Sequence, residues 1–196
     1  MPAKTEITRA DILPLDEFAK IRKTKRQELV DIKKNRRVEV GPVATFYFEN
    51  YQTMWWQVHE MLFIEKGGEA QIPDELAAYN PLIPKGRELI CTVMFEIDEP
   101  VRRANFLARL GGVEETAFLE FGGETVAGVP EADVDRTSAE GKASSVQFLH
   151  FPFTDAQVRK FAAAGAQVVI GFRHPQYAHM TVMPEAVRAT LAGDFS

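Results

Sequence analysis

A single α+β domain is predicted, on three observations. The chain has 196 residues, 45% hydrophobic and 26% charged, which suits one domain with a substantial core. Short strand-like apolar runs alternate with stretches of helical period. Glycine and proline fall at most of the boundaries between them. The expected architecture is a mixed β-sheet with packed helices. Residues 38–196 form the core, built from two strand–helix–strand–strand units, and 15–37 form a basic amphipathic helix arm.

Pro14 and Asp16 open the arm, and Phe18, Ile21, Leu29 and Ile32 fall on one face, with Lys25 interrupting the stripe. The spacing predicts a helix over 15–35. Gly41-Pro42 then breaks the chain before the strand VATFYF (43–48). The stretch NYQTMWWQVHEMLFIEK (50–66) reads as a helix closed by Gly67-Gly68, apolar on so many sides that burial on more than one is expected. DELAAYN (74–80) is a short helix stopped by Pro81 and Pro84.

ELICTVMFEI (88–97), apolar on both faces, predicts a central strand. Asp98 and Pro100 open the helix PVRRANFLARL (100–110), closed by Gly111-Gly112. TAFLEF and ETVAGV flank Gly122-Gly123, a strong hairpin signal. Residues 131–143 read as a polar loop.

In the second unit, the strand SSVQFLHF (144–151) precedes DAQVRKFAAA (155–164), where Thr154 and Gln157 make a capping box and Gly165 ends the helix. AQVVIGF (166–172), the loop HPQYAH (174–179), the short strand HMTVM (179–183) and a helix from Pro184 complete the chain.

Composition narrows function. One cysteine, Cys91, forbids an internal disulfide and removes thiolate-rich zinc and iron–sulfur sites. No apolar run reaches the ~20 residues of a membrane span, and MPAKTEITRADILPLDEF lacks a secretory apolar region, so a cytoplasmic location is expected. HEMLF lacks a zincin's second histidine, EGKASS has Ala143 where a phosphate loop places Ser or Thr after Gly-Lys and no Gly five before Gly141, and no G-x-S-x-G elbow occurs. No substrate is legible, so whether the protein is an enzyme stays open.

The histidines attract a hypothesis. If SSVQFLH and AQVVIGF are neighbouring parallel strands joined by a crossover helix, His150 and His174 end together at the carboxyl edge, where ligands bind in open α/β sheets. His179 follows five residues later, and a turn through Pro175 would be needed to bring it close. Imidazoles with a carboxylate from Glu60, Glu96 or Asp98 suit Fe or Zn. The bland alternative is histidines bonded to backbone at strand ends. Trp55, Trp56, His59 and Tyr177 are candidate ligand-pocket residues, although aromatics at helical spacing more often make core.

Charge offers the other candidate. Residues 20–37 hold nine Lys or Arg against Glu28 and Asp31, a charge of +7, so with a net charge of −5 the rest of the chain carries −12. Lys33, Lys34, Arg36 and Arg37 are candidate partner contacts for an acidic protein. Nucleic acid ranks lower, because an acidic body repels phosphate.

ITRADILPL, FYFENYQTMWWQVHEML, ELAAYNPLIP, SSVQFLHFPF and HPQYAHM together resemble a bacterial family called domain of unknown function 3501, from about Ile7 to Phe195. The resemblance brings no catalytic residues. It implies genes beside a rubrerythrin and an iron–sulfur oxidoreductase, hence a partner among them and a role in iron, peroxide or electron-transfer chemistry under oxidative stress.

Overall fold

The computed structural model describes residues 4–131, 137–138 and 141–195. The polar loop expected over 131–143 lies partly outside these. Helix α1 (Leu15–Lys34) carries Asp16 and Glu17 in its first turn and Lys33 and Lys34 in its last, the arrangement its dipole favours. Strands β1 (Arg37–Val40) and β2 (Ala44–Phe48) form a hairpin around Gly41-Pro42. Helix α2 (Tyr51–Glu65) begins in a capping box between Asn50 and Thr53 and ends at Lys66 in the left-handed conformation. Helix α3 (Ile72–Tyr79) and strand β3 (Glu88–Phe95) follow. Helix α4 (Pro100–Leu107) is capped by the Glu99 carboxylate, which accepts from the backbone N–H groups of Val101 and Arg102.

Strands β4 (Ala117–Phe121) and β5 (Glu124–Ala127) flank the predicted Gly-Gly turn. The two-residue β6 (Val129–Pro130) continues directly from β5. Strand β7 (Val146–Pro152) leads to helix α5 (Asp155–Ala162), whose Thr154–Gln157 capping box forms as expected. Strand β8 (Val168–Phe172), strand β9 (Met180–Val182) and helix α6 (Glu185–Ala192) end the fold.

The α+β class is as predicted, with the strands divided between two antiparallel sheets. One has the order β1-β2-β3-β7-β6, with β3 central as its sequence required; the other is β5-β4-β8-β9. The expected parallel pairing of β7 with β8 does not occur. β7 pairs with β3 and β6, and β8 pairs with β4 and β9, all antiparallel. The reason is that α5 carries the chain from one sheet to the other. The handedness rule for crossovers constrains only strands of the same sheet.

Alternation along β3 shows the layering. Leu89, Cys91, Val93 and Phe95 belong to a core shared with Leu119, Phe121, Ile170 and Phe172 of the second sheet. Ile90 points the other way, into a second core with Met54, Val58 and Leu62 of α2. The first sheet is therefore sandwiched between the second sheet and helices α2 and α3, while α4, α5 and α6 contribute Leu107, Phe161, Val187 and Leu191 to the core between the sheets. The chain crosses between sheets at Gly128, where an added Cβ would lie 3.0 Å from the Ala117 side chain and 3.3 Å from Phe151.

Phe18 fastens α1 to this body. Its side chain is fully buried, with its ring 5.6 Å from Trp56, 4.9 Å from His59 and 6.0 Å from Phe63, centroid to centroid. The basic helix thus lies along α2. No helix among the described residues is long and apolar enough to cross a membrane.

Candidate functional site

The four histidines have separate partners. His150 on β7 lies between two carboxylates, with Nδ1 3.0 Å from Glu88 and Nε2 2.6 Å from Glu131. Two acceptors on opposite ring edges require both nitrogens to donate, so the ring is held as imidazolium. The Glu88 contact accordingly raises its pKa, against the opposing effect of burial, and Glu131 adds to the rise.

His174 follows β8 in the other sheet. Its Nδ1 accepts from the Gln176 N–H at 3.2 Å, so Nε2–H donates to the Gly111 carbonyl at 3.1 Å. His179 is exposed and stands edge-on to the Tyr177 ring. Glu60 makes a two-pronged ion pair with Arg22, at 2.7 and 2.8 Å. Glu96 accepts from the hydroxyls of Thr45 and Tyr47. Among the described residues, no three His, Cys, Asp or Glu side chains are arranged to hold a metal ion. The convergence that motivated the Fe or Zn expectation depended on β7 and β8 being neighbours, which they are not.

The expected aromatic pocket divides. His59 is buried: Nε2 accepts from the Leu13 N–H at 3.0 Å and Nδ1–H donates to the Trp55 carbonyl at 2.8 Å. Burial lowers its pKa, keeping it neutral. Tyr177 belongs to the inter-sheet core. Its hydroxyl donates to the Val40 carbonyl at 2.7 Å and accepts from the Ala44 N–H at 3.1 Å, bracing the β1–β2 turn. Gly41, at φ +67°, permits this approach, since a Cβ there would lie 2.7 Å from the Tyr177 hydroxyl. HPQYAH is therefore a strut between a hairpin and the Gly111 loop. Trp55 and Trp56 alone remain as pocket residues.

The basic set also loses a member. Arg36 is only 4% exposed. Its guanidinium donates to the carbonyls of Phe48 and Glu49 and pairs with Asp194, tying the end of the chain to the first sheet. Lys34 and Arg37 are exposed and Lys33 is half-buried. None of these three, nor Arg26, forms an ion pair among the described residues.

These cations adjoin the tryptophans. A slot of about 210 Å³ runs between α1 and α2, walled by Leu29, Ile32, Tyr51, Trp55 and Trp56, with Lys25, Glu28 and Gln52 at its margins. Lys25 and Glu28 pair with each other at 2.7 Å, so the slot carries no net charge. A broader depression of about 570 Å³ shares Leu29 and Trp56 with it and is lined by Arg22, Arg26, Lys33, Lys34 and Arg37 against Asp31 and Glu60. Arg22 and Glu60 cancel, which leaves an excess of positive charge. Val30, 57% exposed, adds apolar surface there.

Sequence reasoning counted Arg22 and Arg26 only within the basic segment and Tyr51 only among the aromatics of YQTMWWQ, and it did not place Gln52 on this face. The signal existed: Tyr51 and Gln52 precede Trp55 and Trp56 by four residues, so each pair shares a helix side. What spacing could not supply was the docking of α1 beside that row.

The geometry defines an α+β domain presenting a basic, tryptophan-lined helical face. The family model described as "Protein of unknown function (DUF3501)" matches residues 6–195, and the chain belongs to that family. It is similar to a solved protein of Burkholderia pseudomallei K96243, described as a novel protein of unknown function. The two are 37% identical, with a TM-score of 0.89 over 97% of this chain and 99% of the other. No curated protein matches.

Proposed function

We propose that the protein is a non-catalytic docking module that receives an acidic protein partner on its α1–α2 face. One observation carries this reading: Arg26, Lys33, Lys34 and Arg37 surround one depression, with Asp31 and the already paired Glu60 as its carboxylates. The rest of the chain is acidic, which favours a localized protein contact over a long polyphosphate track. The family resemblance suggests the partner: a rubrerythrin or iron–sulfur oxidoreductase, to which this chain would be accessory. An exposed, charge-led contact of this kind weakens as salt screens it over ~10 Å at 0.1 M ionic strength.

The test is capture of those redox proteins by wild type and by the triple variant Lys33→Glu, Lys34→Glu, Arg37→Glu. Loss of capture by a variant that still unfolds cooperatively, with no more than the small drop in midpoint expected from removing Lys33 and Lys34 from the end of α1, supports docking. Equal capture by the reversed variant sinks it.

A further inference from the structure

We infer that the slot between α1 and α2 is a specificity pocket, taking one leucine-sized or phenylalanine-sized side chain from an otherwise acidic partner segment. This rests on the docking reading and adds to it the recognition element.

Size comes first. Small-molecule sites commonly run ~300–1,000 Å³, whereas a dry apolar cavity of ~150 Å³ admits a benzene ring. At about 210 Å³ the slot suits one large side chain rather than a cofactor. Chemistry comes second. Its walls are aromatic and aliphatic, and its lysine is already neutralized by Glu28, so it offers an anion no net charge. Aromatic-walled pockets of this kind are where binding energy concentrates at protein interfaces.

Continuity comes third. Leu29 and Trp56 border both the slot and the basic depression. A segment seated with its apolar side chain in the slot therefore passes directly onto Arg26, Lys33, Lys34 and Arg37. Charge complementarity thus selects an acidic segment, and the slot selects one carrying an apolar anchor. A purely polyacidic segment leaves the slot unfilled.

The protein supplies its own reporter, since the chain has two tryptophans and both wall the slot. The experiment uses the full chain and two synthetic acidic peptides, identical except for a central Leu or Ala. Calorimetry and tryptophan emission are recorded at low and high salt. The Leu peptide should bind about tenfold or more tighter, as expected for burying one leucine side chain, and should shift the emission to the blue. In the variant Gln52→Phe, at an exposed position on the slot margin, the added ring blocks entry and the Leu advantage should vanish.

Equal affinities with unchanged emission overturn the pocket and leave electrostatic docking standing. Binding of neither peptide at low salt overturns docking, and the pocket with it. Sedimentation of the protein alone completes the test: a salt-sensitive dimer that shifts tryptophan emission would assign the slot to a second copy and overturn the acidic-segment reading.

Discussion

The ring of Phe18 lies 5.6 Å from that of Trp56, and this contact joins the basic helix to the tryptophan helix. Both depressions on the α1–α2 face depend on it. Truncating a fully buried phenylalanine typically costs about 3–5 kcal/mol. Phe18→Ala should therefore lower the denaturation midpoint and shift tryptophan emission to the red, because α1 covers both indoles. An unchanged spectrum would show that α1 is positioned by other contacts.

Two neighbouring arginines should behave oppositely. Arg37 is exposed, and its reversal to Glu should change stability by no more than about 0.5 kcal/mol. Arg36→Ala should cost about 3–5 kcal/mol, because it strands Asp194 and removes donors from two buried carbonyl contacts. Burial already raises the Asp194 pKa, with Arg36 opposing the rise, so loss of Arg36 should raise it further. Urea midpoints of the two variants measure the contrast, and equal midpoints would contradict it.

That contrast also marks how far the sequence could be read. Period and punctuation located α1, α2, β3, the β4–β5 hairpin and the α5 capping box, because each is a local arrangement. β1 escaped because its four residues, RVEV, alternate too briefly to stand out from the preceding basic run. Arg36 looked like one more surface cation because nothing local announces a partner 158 residues away. The parallel pairing failed for a related reason. Apolar patterning reports that β7 and β8 are buried, while the choice of neighbour is made by β3 and β4 from distant parts of the chain. The tryptophan half of the candidate site was visible in sequence; its juxtaposition with Lys33, Lys34 and Arg37 was not.

His150 gives the fold a pH window. Its folded pKa is raised above 6.5, chiefly by Glu88, so its contribution is complete below 6.5 and is lost as pH rises through the folded value. For Glu88, burial pushes the carboxyl up, but the contacts with His150 and Lys85 outweigh it and the pKa falls below 4.5. That contribution is present above 4.5 and is lost as pH falls through the lowered value. The Glu88–His150 pair should therefore stabilise most between 4.5 and 6.5. In His150→Gln, the decline in urea midpoint between neutral and mildly alkaline pH should flatten relative to wild type. Parallel pH profiles would remove His150 as its source.

His174 uses one ring nitrogen to accept from Gln176 and the other to donate to Gly111, while His150 spends both on carboxylates. A metal would have to displace these bonds, and a ligand that binds only the folded state raises apparent stability with its concentration. Adding Zn²⁺ or removing metal with a chelator should therefore leave the wild-type midpoint unchanged. His174→Ala should cost about 1 kcal/mol and so lower that midpoint with or without Zn²⁺, because it removes the partners of a half-buried carbonyl and a neighbouring N–H. A Zn²⁺-dependent rise in wild type that vanishes in the His174→Ala, His179→Ala double variant would instead show that the loop rearranges to bind metal, and would return the histidines to the functional site.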